Sequence, residues 1–440
     1  MKRIAGVVVV LAALILIVPF LIPTGTYLKQ IEQIASEKLG QPVSIGSLHF
    51  AVLPTPRANI DLLRIGQHDE VRVERVAIIP EISSLFSEVK VMSAIVVTNP
   101  VMKMGAFDFI AAMPEKVKGS PALVVRRLEV INARLEWPQL NVPAVNVKAT
   151  MAEGNQLQSA KLTSVDGKLN ADITPQGAGY GIKLVAQQWT LPAGPKVLFN
   201  SLHSEMTLQG SRLDIGSLDA RLYQGTLTAT AVLEWGKELH ASGKFRTEGI
   251  AIAEAAHLIS KKKLLSGKLG GTGTFSVNAK EAARAADNLV LDYKFNVANG
   301  VLHGVDLVKA ATLLLRKGGK GGETQFDELS GMLHVAGKQI ELKELDIVSG
   351  LLAASGGVKI SPAGRLDGVV EVKLKKGVVL VGVPLQVSGT LDDPAVFPTK
   401  TAMAGAAIGT GMLGPGVGTS LGLKAASGVE KIKGLFDNKK

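Results

Sequence analysis

The chain has 440 residues, a formal net charge of +11 and no cysteine, which excludes a disulfide framework and a thiolate metal site. Hydrophobic residues make up 46% of it but aromatic ones only 4%, so its apolar surface is nearly all Val, Leu, Ile and Ala, which suits a long, low-relief apolar surface better than a compact core. Its basic residues are scattered with no aromatic platforms among them, which argues against a nucleic-acid ligand and leaves a solvated basic surface or attraction to anionic lipid headgroups.

At the N-terminus Lys2 and Arg3 precede an uncharged run from Ile4 to Ile22 through Val10 and Leu16. In a helix this run spans about 29 Å, close to the thickness of a bilayer's hydrocarbon core. A cleaved signal peptide has a shorter apolar core and a small-residue cleavage site, and no such site stands before Thr26. The run predicts an uncleaved, single-pass anchor over 1–23. The basic residues stay in the cytoplasm, and the bulk of the chain is translocated, in a bacterium-like cell from the inner membrane into the periplasm.

Tyr27 to Leu39 reads as a short helix: Leu28, Ile31, Ala35 and Leu39 share one face, Gly40 stops it and Pro42 blocks continuation. Ile45, Leu48, Phe50 and Val52 then sit in short strand-like runs broken by Pro54 and Pro56. Alternation continues at Val71 and Val73 and at Val89 and Val91. From about Leu123 the pattern is monotonous. "LVVRRLEVINARLEW", "SRLDIGSLDARLYQGTLTATAVLEW" and "KQIELKELDIVSGLLAASGGVKI" each predict two or three strands joined by Gly or Asn turns. Leu213, Ile215, Leu218 and Ala220 recur at one constant offset as Ile340, Leu342, Leu345 and Ile347, with Gly225 and Gly350 at nearby turns. Repeated meander units predict a sheet extended by stacking. Within the second copy, Leu345 and Ile347 are the candidate lining of an apolar face, with Asp346 and Val348 on the other side. Short helices are predicted over Ile250 to Lys261, Lys280 to Asn288 and Val305 to Arg316, followed by a flexible "KGGKGGE" loop.

Near the end, "GAAIGTGMLGPGVGTSLG" places Gly405, Gly409, Gly414, Gly418 and Gly422 four or five residues apart. Small residues at that spacing let helices approach closely. Ala404 to Leu413 and Val417 to Ala426 are each too short to span a bilayer, and Gly414-Pro415-Gly416 signals a turn. The expectation is a tight helical hairpin that enters one leaflet or docks on an apolar partner, flanked by Lys400, Lys424, Lys431 and Lys433. The alternative is a disordered glycine-rich tail, since glycine disfavours helix in water.

Chemistry is sparse. "GTSLG" fits a nucleophile-elbow pattern, but no strand precedes it and no histidine follows Ser420. "GTGMLG" lacks the preceding strand and later acidic residue of a dinucleotide site. "GGKGGE" lacks the hydroxyl residue of a phosphate loop. The seven histidines are scattered, His303 and His334 among them, and no carboxylate pair stands out. The expectation is a protein that is not an enzyme and carries no metal or cofactor.

Three groups of residues resemble the AsmA-like envelope proteins. "LKQIEQIASEKLGQPVSIGSLHFAVLPTPRANIDLLRIG" resembles that family's helix and opening strands after the anchor. "VERVAIIPEISSLFSEVKVMSAIVVTNPVM" resembles its next unit, ending in an Asn-Pro turn. "NGVLHGVDL", "TQFDELSGMLHV" and "VPLQVSGTLDDPAVFP" resemble its closing segment, while 140–295 matches in style only. The resemblance divides the chain into an anchor (1–23), an AsmA-like N-terminal β region (24–120), a repeat sheet body (121–297), an AsmA-like C-terminal β region (298–398) and a glycine-zipper tail (399–440), the last a departure from the family pattern. It implies a mainly β fold with a few short helices, an elongated, bent sheet forming an apolar groove. It also implies phospholipid transport between membranes and a role in outer-membrane homeostasis. The partners implied are phospholipid acyl chains, the inner membrane, and the outer membrane or an envelope protein reached through the tail. The alternative is a non-transporting membrane scaffold for outer-membrane protein assembly.

Overall fold

A computed structural model describes residues 27–51, 53, 55–103, 106, 123–136, 141–192, 196–256, 262–280, 282–312, 321–375, 382–413, 420, 423–425 and 427. The protein is mainly β, with 24 described strands and a few short helices. It divides into two units, Met1–Gly210 and Ser211–Lys440. Among the described residues no helix is long and apolar enough to cross a membrane. The predicted anchor, with Ile4, Val10, Leu16 and Ile22, lies outside the described residues, as do Gly414, Gly418 and Gly422.

The N-terminal unit opens with helix α1 (Tyr27–Leu39), which has the predicted bounds. Gly40 follows it with φ +65°, the left-handed conformation that ends many helices at little cost to glycine. The strands are β1 (Val43–Ser44), β2 (Ser47–Ala51), β3 (Arg57–Ile65), β4 (Val71–Pro80), β5 (Lys90–Thr98), β6 (Val101–Lys103), β7 (Leu123–Val125), β8 (Arg127–Glu136), β9 (Val145–Met151), β10 (Leu157–Ser164), β11 (Leu169–Gln176), β12 (Gly179–Thr190) and β13 (Leu198–Gln209). Most neighbours pair antiparallel, but β7 and β8 run parallel to β5, and β8 also to β6. Alternation sets the period of a strand and says nothing of its neighbour's direction. Ile31 and Ala35 of α1 are buried against Ile60, Ile78 and Ile95, the centre of this unit's core.

Asn132, expected at a turn, is instead a bulge inside β8. Its φ is +55° and the register with β9 shifts between Val130 and Ala133. Asn146 Oδ1 accepts its backbone N–H at 2.8 Å, and its side-chain amide donates to Asn99 Oδ1 at 2.7 Å. Asparagine tolerates that conformation in bulges and turns alike, so sequence alone leaves the two open.

The C-terminal unit is an antiparallel meander in which each strand pairs with the next: β14 (Arg212–Leu222), β15 (Gly225–Glu234), β16 (Leu239–Ala251), β17 (Leu265–Ala279), β18 (Leu289–His303), β19 (Glu323–Ala336), β20 (Gln339–Val348), β21 (Leu352–Ile360), β22 (Leu366–Leu374), β23 (Val383–Thr390) and β24 (Asp393–Pro398). The sequence repeat has a structural counterpart. β14 shifts register between Ile215 and Leu218, and β20 shifts between Leu342 and Leu345, the matching positions of the two copies. Gly216 thus lies in a bulge. The turn falls at Tyr223 and Gln224, both with positive φ, as tight hairpins require.

Two of the predicted helices start later than the sequence suggests. Helix α2, described over Ile252–Ala256, starts at Ile252 because Ile250 and Ala251 still pair with Leu269 and Lys268 at the end of β16. Lys280 to Asn288 yields a 3-10 turn over Ala282–Asn288. Helix α3 covers Leu307–Thr312, where Asp306 Oδ1 caps the Lys309 N–H at 2.9 Å. Residues 257–261 and 313–320 lie outside the described set. Helix α4 (Lys400–Leu413) starts before the predicted Ala404, because Thr399 Oγ1 accepts the Ala402 N–H at 3.1 Å as an N-cap.

Candidate functional site: the apolar sheet faces

The strand registers place apolar residues opposite apolar residues throughout each unit. In the C-terminal unit one row crosses every strand from β14 to β24. It runs Leu218, Ala229, Phe245, Gly273, Tyr293, Leu333, Leu342, Val358, Gly368, Val387 and Val396. The neighbouring row, on the opposite face, reads Thr230, Lys244, Thr274, Asp292, His334, Glu341, Lys359 and Asp367. Since successive side chains point to opposite faces, these rows separate one greasy side from one charged side. The N-terminal unit has its own apolar row: Ala58, Ile78, Ile95, Leu128, Ala149, Ala160, Ile173, Ile182 and Met206.

Cover on the C-terminal unit's apolar face is uneven. Toward its C-terminal strands, Ala310 and Ala311 of α3, Ala402 and Ala406 of α4, and Leu423 belong to one buried cluster with Val372, Val383 and Leu385. The apolar partner on which α4 docks is therefore the chain's own sheet. Gly405 lies half-buried in this helix and Gly409 within its backbone span. On β14 to β17 the same face is half-buried: Leu213, Leu218, Leu227, Leu233, Phe245 and Phe275 keep part of their surface in solvent. The candidate pair Leu345 and Ile347 lies on the apolar face of β20, Leu345 half-buried and Ile347 buried within the covered cluster.

Aromatic rings gather where glycines make room for them. A Cβ added to Gly273 would sit 2.6 Å from the Phe245 ring, and one added to Gly243 would sit 2.6 Å from the Phe275 ring. Without side chains of their own, these glycines let rings on the neighbouring strand lie down on the sheet. Phe245 stacks on Tyr293 with centroids 5.3 Å apart, and Tyr293 on Phe295 at 6.1 Å. Sequence reasoning missed this cluster. Its signal is Gly271 and Gly273 occupying odd-numbered, otherwise apolar positions of β17.

On the apolar face the hydroxyls of Thr247 and Tyr293 bond each other at 2.5 Å, and that of the buried Thr324 on β19 accepts the Leu307 N–H at 3.0 Å and donates to the Val305 carbonyl at 2.8 Å. Burial pushes the Tyr293 hydroxyl above its ordinary pKa, and the Thr247 bond pulls the other way. The polar face, by contrast, is laced with exposed ion pairs. Arg212 holds Asp214 at 2.7 Å and Glu234 at 2.5 Å, and its hydrogen bond keeps the Asp214 carboxyl below its usual range. Two depressions of about 730 and 630 Å³ share Thr230, Lys244, Thr274 and Asp292 of that face in their walls.

His303 sits between Ser266 (3.2 Å) and Glu323 (2.8 Å), and His334 bonds Asp292 at 2.7 Å. Among the described residues no cluster of three His, Asp or Glu is arranged to hold a metal ion. What the arrangement offers is extended aliphatic surface on which methylene chains can replace water. Comparisons with protein-family models, with curated proteins and with solved structures find no match to this chain.

Proposed function

We propose that this chain is an inner-membrane-anchored periplasmic protein whose apolar sheet faces hold phospholipid acyl chains in transit between membranes, in the manner of the AsmA-like proteins it resembles, and that it contributes to outer-membrane homeostasis. The observation that carries this reading is the row from Leu218 to Val396, apolar but for the Tyr293 hydroxyl, backed by a polar and charged row on the opposite face. Each acyl methylene gains about 0.8 kcal/mol on leaving water. A lipid tail therefore needs continuous aliphatic contact and no motif. The half-buried stretch on β14 to β17 is the part suited to receive it. The anchor run over residues 4–22 supplies the inner-membrane partner. The tail beyond α4 is the segment available to an outer membrane or an envelope protein.

The test is extraction of the full chain in mild detergent followed by mass spectrometry of bound lipid. Stoichiometric phospholipid is expected; a folded, lipid-free chain would overturn the reading. One observation favours the alternative of a non-transporting scaffold. On its C-terminal strands the apolar face is filled by the chain's own α3 and α4. If lipid is absent, that filling describes the whole function of the face.

A further inference from the structure

Four exposed apolar side chains stand on or beside two adjacent connections at one end of the N-terminal unit. Ser36 Oγ of α1 accepts the N–H of Val43 at 2.9 Å, and the Glu32 carboxylate accepts that of Ile45 at 2.6 Å. The chain leaving α1 therefore runs back along the helix toward Tyr27. β1 and β2 pair with β3 so that Val43 faces Ile65 and Ala51 faces Arg57. The start of α1 thus lies at the Arg57 end of β3. Ile78 of β4 faces Ala58, which brings the β4–β5 connection to that same end.

On these two adjacent connections and their flanks, Phe50 is 60% exposed, Leu53 81%, Ile82 56% and Val89 42%. The β3–β4 connection at the opposite end reads Gly-Gln-His-Asp-Glu over 66–70, wholly polar. Exposed apolar residues are ordinary on a soluble surface, and the far end of the unit carries Val165 and Leu198; what sets this end apart is that it also holds the start of α1, where the chain arrives from the uncharged run. Lys29, Arg57, Lys90 and Arg126 stand around the tips together with Glu81, held by Arg126 at 3.0 Å, and the exposed Glu88, which leaves the group basic by about two charges.

Chain length selects the partner. The uncharged run ends at Ile22, five residues before Tyr27. At about 3.3–3.6 Å per residue, that link reaches no more than about 18 Å. Aliphatic tips with a basic surround, tethered that close to a membrane-spanning run, suit the interface of an anionic bilayer.

We propose that the β2–β3 and β4–β5 connections of the N-terminal unit dip into the same bilayer that residues 4–22 span, seating this end of the unit on the lipid. The proposal rests on the membrane-anchor part of the reading above, not on lipid carriage.

The chain has no cysteine, so single labels are unambiguous. Leu53→Cys, Ile82→Cys and Val165→Cys variants of the full chain each carry an environment-sensitive fluorophore in phosphatidylethanolamine–phosphatidylglycerol vesicles containing nitroxide lipid. Val165 is also exposed, at 55%, but follows β10 at the far end of the unit. Quenching several-fold stronger at positions 53 and 82 than at 165 is the expected result. Equal quenching in a chain that floats with the vesicles would overturn the proposal and leave the anchor standing. A chain that does not float would overturn both.

Discussion

An aspartate on the apolar face should have opposite consequences at two positions that share that face, because one is covered and the other is not. Ile347 is 7% exposed in the cluster closed by α3 and α4. Losing its side chain alone would cost about 2–5 kcal/mol. Leaving an unpaired carboxylate there adds several kcal/mol more. Against a typical total stability of roughly 5–15 kcal/mol, Ile347→Asp should unfold the C-terminal unit. Leu227 on β15 lies between Ala220 and Thr247 and keeps part of its surface in water. A carboxylate there stays hydrated, and half the transfer free energy of a leucine is on the order of 1 kcal/mol. That lowers the melting temperature by about 2–4 °C in a unit of this size. Leu227→Asp should therefore fold. It should also lose bound phospholipid, because an acyl chain crossing it must either strip the carboxylate of water or forgo several methylene contacts. The assay pairs thermal melting with lipid mass spectrometry on the full chain. A folded Leu227→Asp protein that retains phospholipid at the parent's stoichiometry would refute the reasoning.

Three further outcomes are expected. Gly273→Ala should destabilise the C-terminal unit by about 1–3 kcal/mol, since its Cβ meets both the Phe245 ring and the Asp292 carbonyl oxygen. Adding Phe245→Leu should recover part of that loss, and strictly additive effects in a double-mutant cycle would show that the ring is not seated on the glycine. Tyr293, whose pKa is raised by burial, binds its proton more tightly folded than unfolded. The stability it contributes is full below the ordinary tyrosine pKa and is lost as pH climbs from there through the raised value. Tyr293→Phe should flatten that alkaline decline, followed by tyrosinate absorbance and melting; an unchanged decline would assign it to other groups. Ala402 of α4 is fully buried against the sheet, so Ala402→Leu should overpack the contact and cost about 1–3 kcal/mol in denaturant unfolding. A neutral result would mean that α4 is not clamped to the sheet.

What the sequence made legible follows from periodicity. A strand's period of two puts Leu345 and Ile347 on one side and Asp346 on the other, and no tertiary knowledge is needed to see it. Helix α1 was equally plain, since its apolar face, Gly40 stop and Pro42 all agree. Pairing is another matter. Whether β8 lies parallel to β5, or Asn132 makes a bulge and not a turn, depends on residues about thirty positions away, such as Asn99. Helix ends depended on competing partners. Ile250 stays in β16 because Leu269 pairs with it, and α4 begins early because Thr399 caps it.

Cover is the property that local pattern says least about, and it is the one on which the proposed function turns. Ile215 and Leu342 occupy equivalent places in the two copies of the repeat, each beside a register shift and each half-buried. Ala220 and Ile347 also correspond, yet only Ile347 lies in the cluster that α3, α4 and Leu423 close. The two copies present the same alternation to a reader of the sequence. What distinguishes them is a set of alanines, Ala310, Ala311, Ala402 and Ala406, small enough for helices to lie close against the sheet. Alanine is also the commonest filler of any exposed helix, so nothing in its identity announces contact. An open face and a face that holds its own helices are built from the same aliphatic strand residues. Whether helices reach a given strand decides whether its face is filled or left open.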